Sequence, residues 1–213
     1  MSINLKKIVK KFLKSKNYFK LWFEDKGDQI LKFEYKLNSD SVFFELGGYK
    51  GTYASNILSL FNPHTYIFEP SQKYYEELNN KFKNFPNVKV INSALSNKSS
   101  TSYLVDYGES SYVSKVKREN STTIKIIKLS EFIKKNKIKF IDLLNINIEG
   151  SEYKVLNDLL NNKCVGNINS IQIQFHKNVR FYRLKRKIIH NKLNKTHKLI
   201  WCYNFVWERW DLK

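Results

Sequence analysis

Apolar runs of strand length recur along the chain and alternate with amphipathic segments. The runs at 42–46, 65–68, 88–91, 140–148 and 170–175 are rich in branched aliphatic and aromatic residues, as buried strands are. Between the first three runs, apolar residues recur at helical spacing. Strands that alternate with helices predict a mostly parallel sheet with helices on both faces, a doubly wound α/β fold.

The chain ends and one internal segment carry other patterns. Residues 1–20 place apolar side chains among seven lysines and predict a basic amphipathic helix. Residues 96–125 are rich in Ser and Thr, so we expect a loop with short strands around it. Ser130 has the character of a helix N-cap. A basic helix is predicted over 178–194, and the aromatic tail at 199–210 predicts an antiparallel hairpin.

The size of the chain suits one domain with an arm. Its 213 residues, 42% of them hydrophobic, are enough for one α/β core. We expect a helical arm or cap over 1–38 and the main domain over 39–213. Lysines interrupt the apolar stretches at the N-terminus, so neither a signal peptide nor a membrane span is expected. Cys164 and Cys202 show no metal-binding spacing, and a reducing, cytoplasmic setting is the simplest expectation.

The formal net charge is +19, which leaves several partners open. Nucleic acid would fit, because basic surfaces neutralise phosphates. A bias toward Lys, Asn and Ile codons would give the same excess without a nucleic-acid partner, and we favour it. The charge would also attract an anionic substrate, and the 1–20 helix either lies on an anionic membrane surface or packs on the domain with its lysines solvated.

Polar clusters follow the predicted strands. They occupy 45–51, 69–71, 92–94 and 147–152, and His176 follows the last strand. In open α/β sheets, ligands bind beyond the carboxyl ends of the strands. The clusters therefore predict a binding site at that edge of the sheet.

Two carboxylates narrow the choice of ligand. Glu45 directly precedes the glycine turn, where it would repel a dinucleotide pyrophosphate and attract the ammonium and sulfonium of S-adenosylmethionine. Glu69 ends the second strand and is placed to accept hydrogen bonds from ribose hydroxyls. A surface Glu at a helix N-terminus would have the same pattern.

Four segments resemble the FkbM-type methyltransferases. Residues 45–51 (ELGGYKG) resemble methyltransferase motif I, 68–70 (FEP) the acidic second motif, and 92–96 (NSALS) the adenine segment. Residues 141–152 (IDLLNINIEGSE) resemble the family signature D-L-L-K-I-D-V-E-G-A-E most closely. The resemblance runs from about 42 to 176.

The resemblance implies a seven-stranded class I methyltransferase sheet, S-adenosylmethionine as cofactor, and O-methylation of sugars or other hydroxyls, often in surface polysaccharides such as capsule or lipopolysaccharide. The implied cofactor contacts are Glu45, Gly47, Gly48, Tyr49, Gly51, Glu69, Pro70, Ser71, Ser93, Ala94, Asn147 and Glu149. This chain departs from the family at Asn147, where Asp is usual, at Asn145, which replaces a Lys, and at Gln174, which replaces a frequent Glu. No metal site is expected.

Methylation of a hydroxyl is helped by a general base. His176 is the first candidate, because its ordinary pKa is near neutral, although a structural His at a strand end would look the same. Glu149 is the second catalytic candidate, and dipole complementation by the carboxylates at this helix start is the alternative. The candidate acceptor contacts are Glu152, Ser110, Ser111, Arg180 and Arg183. The two arginines fit a phosphorylated acceptor or a solvated helix face equally well.

Three other functions stay open. RNA methylation is supported by charge alone, without an RNA-binding signature. A cofactor-binding module without activity would explain Asn147. NAD-dependent oxidoreduction is the least favoured, because of the charge of Glu45.

Overall fold

The structure is a computed structural model that describes residues 17–105, 107–108 and 111–213. Its strands are β1 (Val42–Leu46), β2 (His64–Phe68), β3 (Val88–Ile91), β4 (Ala94–Ser96), β5 (Ser100–Val105), β6 (Tyr112–Ser114), β7 (Ser121–Lys128), β8 (Ile141–Ile146), β9 (Ile168–Ile173), β10 (His197–Tyr203) and β11 (Trp207–Leu212). Its α-helices are α1 (Tyr18–Glu24), α2 (Thr52–Phe61), α3 (Gln72–Phe82), α4 (Leu129–Lys135), α5 (Glu152–Asn161) and α6 (Tyr182–Leu193), and short 3-10 helices occupy Leu31–Phe33 and Cys164–Asn167.

Seven strands form the main sheet in the order β10-β11-β9-β8-β1-β2-β3. The five strands from β9 to β3 are parallel, and β11 pairs antiparallel with both β9 and β10. This confirms the predicted doubly wound, mostly parallel seven-stranded sheet. The C-terminal hairpin is β10 with β11, and β1 and β3 have the predicted bounds.

Neighbouring residues of one strand point into two separate cores. Phe43 packs in a cluster with α2 and α3, whereas Phe44 packs in a cluster with α5 and α6. Successive side chains of a strand alternate between the faces of a sheet, so an apolar run fills both cores. Both Phe side chains are fully buried, and this double burial explains why β1 is apolar at almost every position.

A second sheet lies between β3 and α4, where the sequence predicted a loop with short strands. Its order is β4-β7-β5-β6, and its small apolar core holds Ala94, Leu104, Ile124 and Ile126. Because that core is small and the exposed positions are Ser and Thr, the hydrophobic signal in the sequence is weak.

The predicted N-cap at Ser130 is wrong. The helix begins two residues earlier than this prediction implies, at Leu129, with Lys128 at the N-cap position. Ser130 is buried and donates its hydroxyl to Asp158 Oδ1 at 2.9 Å. Its polar side chain therefore joins α4 to α5 and does not cap the helix.

Part of the predicted arm packs on the main sheet. Trp22 is buried against Trp201 and Tyr203 of β10, and the Tyr35 hydroxyl donates to Gln172 Oε1 of β9 at 2.7 Å. Residues 1–16 of that arm lie outside the described residues. Within the part of the chain that the structure describes, every helix is too short or too polar to cross a membrane.

Candidate functional site

A cleft of about 560 Å³ opens where β1, β2, β3 and β8 end. Its volume lies in the range of small-molecule sites. Gly47 follows β1, Glu69 follows β2, Ser93 follows β3 and Asn147 follows β8, and all four residues line the cleft. The polar clusters that follow these four strands in the sequence therefore meet at one place.

Ten of the predicted site residues line this cleft: Gly47, Tyr49, Glu69, Pro70, Ser71, Ser93, Ala94, Ser111, Asn147 and Glu149. The structure places seven others outside its wall: Glu45, Gly48, Gly51, Glu152, His176, Arg180 and Arg183. Ser110 lies outside the described residues.

The turn after β1 approaches the turn after β8 so closely that only glycine fits. Gly47 has a φ of +90°, and a Cβ there would lie 2.1 Å from the backbone oxygen of Asn147. Gly48 and Gly51 act one layer below the cleft, since a Cβ on either would collide with Leu78 of α3. These two glycines allow the turn to pack and do not form the wall of the cleft.

Two residues of the cleft wall have a left-handed backbone. Tyr49 has a φ of 45° and Glu149 a φ of 46°, a conformation that costs a residue with a side chain roughly 1–3 kcal/mol. They occupy equivalent positions in the turns after β1 and β8. Strain of this kind concentrates at binding and catalytic sites.

The carboxylate of Glu69 is fixed by the backbone of both neighbouring turns. Oε2 accepts the Tyr49 N–H and Oε1 accepts the Ser71 N–H, each at 2.8 Å. Each carboxylate oxygen can accept more than one hydrogen bond. Glu69 is therefore a rigid hydrogen-bond acceptor in the cleft wall.

Glu45 does not face the cleft as its predicted role requires. Its side chain is buried behind the glycine turn. Burial, and next the nearby Glu69 carboxylate, raise its pKa from 4.5 to about 8, against the attraction of Lys32 and Lys81. At neutral pH the group is mostly neutral, so the expectation of a charged carboxylate gripping a ligand cation at this turn is not met.

Glu149, His176 and Glu152 form a chain of contacts that leads out of the protein interior to the cleft. Glu152 is fully buried and accepts the N–H groups of Gly150 and His176, both at 2.8 Å. His176 places Nδ1 3.3 Å from Glu152 Oε1 and Nε2 3.0 Å from Glu149 Oε1. Of these three side chains only Glu149 lines the cleft. The burial of Glu152 thus contradicts its predicted contact with an acceptor.

The two carboxylates keep His176 protonated. Burial by itself would lower the pKa of His176, but the hydrogen bonds to Glu149 and Glu152 outweigh it and raise the pKa from 6.5 to about 9. At neutral pH the imidazole is therefore a cation that donates to both carboxylates. This state argues against His176 as a proton acceptor and for Glu149.

Asn147 carries a polar atom that the described residues leave without a partner. Its Oδ1 is buried and has no hydrogen-bond partner among the described residues, while the residue lines the cleft. An unpaired buried acceptor costs about 1–3 kcal/mol. A ligand that brings an N–H or O–H donor to this atom, as the ammonium group of S-adenosylmethionine would, offsets that cost.

Several residues that line the cleft were not predicted from the sequence as site residues. Lys32, Lys50, Thr52, Tyr74 and Gln174 also line it. Lys32 comes from the N-terminal arm, where its Nζ lies 3.0 Å from Asp28 and 4.1 Å from the ring centre of Trp207. Nothing in the local pattern around Lys32 distinguishes it from other lysines. Gln174 was noticed only as a departure from the family pattern.

The two arginines predicted to hold an acceptor do not line the cleft. Arg180 stacks over Phe181, and Arg183 stacks over Tyr182 at the start of α6. Both arginines are exposed. Among the described residues, no cluster of three or more His, Cys, Asp or Glu side chains is arranged to hold a metal ion.

Known proteins resemble this chain in both sequence and fold. The family model described as the Methyltransferase FkbM domain matches residues 45–191. No curated protein matches the chain significantly. Many solved structures do. A provisionally named rRNA methylase from Clostridium thermocellum superposes with a TM-score of 0.55 at 10% identity, covering 89% of this chain and 94% of that one.

Two fibrillarin structures are also similar. The Methanococcus jannaschii fibrillarin pre-rRNA processing protein has a TM-score of 0.50 at 11% identity, covering 82% of this chain and 67% of its own. A fibrillarin in complex with Nop5p has a TM-score of 0.51 at 15% identity, covering 86% of this chain and 77% of its own. At these identities the likeness shows a shared fold.

Proposed function

Because the chain belongs to the family of FkbM methyltransferase domains, and so is an S-adenosylmethionine-dependent methyltransferase, we propose that it methylates a hydroxyl group of a sugar, of a surface-polysaccharide precursor or of a phosphorylated small molecule. The observation that carries the proposal is the carboxylate of Glu149, which lies at the cleft wall and is held from behind by the protonated His176. A hydroxyl acceptor must lose a proton, and a fixed carboxylate is suited to take it.

The cleft residues fit the cofactor. In this proposal Glu69 accepts the ribose hydroxyls, and Oδ1 of Asn147 accepts from the ammonium group of the methionine portion. Support comes from the fixed carboxylate of Glu69 and from the lack of a partner for that Oδ1 among the described residues. Ser93 and Ala94 fall in the segment that resembles the adenine motif, and both line the cleft. The cofactor supplies a methyl group that its sulfonium already activates.

Glu149 is the proton acceptor in this proposal. One of its oxygens, Oε1, is engaged by His176 Nε2 at 3.0 Å, which leaves Oε2 for the hydroxyl of an acceptor in the cleft. The imidazolium orients the carboxylate, and the buried Glu152 orients the imidazolium. Only Glu149 touches the acceptor, so His176 and Glu152 are positioning residues.

The acceptor class rests on the family and on the polar wall of the cleft. Lys32, Lys50 and Gln174 add donors to the wall that Glu149 shares. A wall with several hydrogen-bond donors suits a hydroxyl-rich acceptor. The two lysines would also bind a phosphate or carboxylate group of such an acceptor. An unbranched apolar acceptor would leave those groups without hydrogen bonds, at a cost in binding.

Methyl transfer from labelled S-adenosylmethionine tests this proposal. The purified protein would be offered nucleotide sugars, sugar phosphates, polysaccharide precursors and total RNA as separate pools, with Glu149→Gln as the matched inactive control. We expect label in an O-methylated sugar after acid hydrolysis, identified by mass spectrometry, and a loss of at least about 100-fold in the variant. Label found only in nuclease-sensitive material would contradict the proposal.

RNA is the second candidate acceptor, and two observations favour it. The chain has a net charge of +19, and two structures of the same fold are named for rRNA. An RNA enzyme of this charge would bind RNA with a steep salt dependence, because each neutralised phosphate releases counterions. RNA binding that is unchanged between low and moderate salt, without methyl transfer to RNA, would remove this candidate.

A further inference from the structure

Helix α6 exposes an apolar stripe that no other described segment covers. Phe181, just before the helix, and Leu184 and Ile188 within it are 63%, 58% and 44% exposed. Their spacing of three and four residues places them along one face. The buried residues Ile189 and Leu193 lie on the other face, where α6 packs on the domain. The stripe therefore contributes nothing to the core.

Phe181 is held in an unfavourable backbone conformation at the start of this stripe. Its φ is 58°, in the left-handed region that a bulky side chain rarely adopts. This residue forms the turn into α6, at the N-cap position, and Arg180 packs over its ring at 4.7 Å from the ring centre. The turn presents a large aromatic ring to solvent beside a cation.

The surroundings of the stripe are strongly basic. Residues 177–195 contain eight lysines and arginines and no aspartate or glutamate. By helical spacing, Arg183 and Lys187 flank one side of the stripe, and Lys185 and Lys192 flank the other. Apolar side chains between rows of cations are typical of helices that lie in the surface of an anionic membrane. RNA would use the cations but leave the two aliphatic side chains without a partner.

The same helix begins beside the cleft. Asn178, four residues before α6, donates its side-chain amide to the Glu149 backbone oxygen at 3.2 Å. A Cβ on Gly150 would touch Asn178 and Val179. The segment that leads into α6 therefore packs on the turn that carries Glu149.

From the stripe, its strained aromatic and its charges, we propose that α6 docks this protein on an anionic membrane surface. Phe181, Leu184 and Ile188 enter the boundary between headgroups and acyl chains, while the flanking cations bind lipid phosphates. Docking places the mouth of the cleft near the membrane, where a lipid-linked acceptor would be within reach. The docking itself does not depend on the acceptor proposed above, since lipid binding needs no methyl transfer.

Sedimentation with vesicles tests the docking. We expect the full-length protein to bind vesicles of phosphatidylcholine mixed with phosphatidylglycerol, and to bind pure phosphatidylcholine at least about tenfold more weakly. The variant Phe181→Ser, Leu184→Ser, Ile188→Ser should bind the anionic vesicles at least about tenfold more weakly than the wild type. A matched control changes three exposed apolar residues elsewhere, Leu60→Ser, Phe85→Ser and Phe140→Ser, and should bind like the wild type.

Phe181→Gly separates binding from folding. Glycine adopts a positive φ without strain, so this variant should be at least as stable to heat as the wild type while binding anionic vesicles more weakly. Equal loss in the control triple variant, or wild-type binding in the α6 variants, would overturn the proposal. The proposal would also be overturned if vesicle binding were lost only in a variant with Lys6, Lys7, Lys10 and Lys11 changed to Gln. It would equally be overturned if the α6 variants lost RNA binding but kept vesicle binding.

Discussion

His176 Nε2 lies 3.0 Å from Glu149 Oε1, and the pair links a protonated imidazole to the one carboxylate of the 149–152 turn that faces the cleft. The contact orients Glu149 at a left-handed backbone position. The sequence did not distinguish the roles of the two residues. In our proposal Glu149 accepts the proton and His176 orients Glu149. The pair therefore predicts different consequences for the two substitutions.

Replacing the carboxylate should abolish most of the turnover and leave the cofactor bound. In Glu149→Gln we expect kcat to fall by at least about 100-fold, because the amide cannot accept the proton of the acceptor hydroxyl. Cofactor affinity, measured by calorimetry, should change by less than about threefold. The exposed Glu77→Gln on α3 is the matched control. Full activity in Glu149→Gln would remove Glu149 from the chemistry.

Replacing the imidazole should change the pH profile. The pKa of His176 is raised from 6.5 to about 9, so in the wild type the orienting cation is lost, and kcat declines, as pH rises through about 9. In His176→Gln we expect a lower kcat without that alkaline decline. A purely structural His would leave the shape of the profile unchanged when replaced.

The same pKa sets a stability signature for His176. A raised pKa in the folded state means that the stabilisation is complete below about pH 6.5 and is lost as pH rises toward about 9. The difference in unfolding midpoint between wild type and His176→Gln should therefore shrink from pH 6.5 to above pH 9. A difference that stays constant over this range would contradict the ion pairs.

Asn147→Ala should separate ligand binding from stability. Because Oδ1 of Asn147 has no hydrogen-bond partner among the described residues, removing it should not lower the thermal stability of the unliganded protein. Cofactor affinity should fall by at least about tenfold, the value of one hydrogen bond to a charged group. Unchanged affinity in calorimetry would show that Asn147 accepts nothing from the cofactor.

Glu69→Ala should weaken cofactor binding by at least about 100-fold, since two hydrogen bonds to a charged acceptor are lost. Glu69 also holds the N–H groups of Tyr49 and Ser71, so Glu69→Gln serves as the milder companion, and its loss should be smaller. Equal affinity in wild type and Glu69→Ala would contradict the ribose assignment.

The parts of the site that follow strands could be predicted from the sequence. Gly47, Glu69, Ser93 and Asn147 lie at the cleft because parallel strands bring their carboxyl ends to one edge, and the apolar runs show where each strand ends. The β1 run is easy to recognise because both of its faces are buried.

The sequence could not show where a side chain points, or which segments that are far apart in the chain pack against each other. Glu45 and Glu69 look equivalent at strand ends, yet one lies behind the turn and the other in the cleft wall. Lys32 reaches the cleft from the N-terminal arm through a packing contact that has no local pattern. The sequence predicted only short strands around a loop where the second sheet lies, because the few apolar residues of that sheet are spread over 94–126 between Ser and Thr.

Replacing Glu45 should stabilise the protein, and the gain in unfolding free energy should grow with pH, whereas the contribution of His176 to stability falls as pH rises. In the folded protein, burial and the repulsion of Glu69 raise its pKa from 4.5 to about 8. The native state then holds a proton that the unfolded chain releases, so this group lowers stability progressively from pH 4.5 to about 8. In Glu45→Gln that penalty is absent, and we expect its unfolding free energy to exceed that of the wild type by up to about 5 kcal/mol at the alkaline end.

The comparison should be made by thermal unfolding without ligand. The gain in Glu45→Gln should be smallest near pH 4.5, should grow up to about pH 8 and should then level off. In the background of Glu69→Gln the gain should be smaller, because the second cause of the raised pKa has been removed. A gain that is independent of pH would mean that the pKa of Glu45 is not raised in the folded protein. A loss of stability at every pH would mean that its carboxylate is charged and paired there.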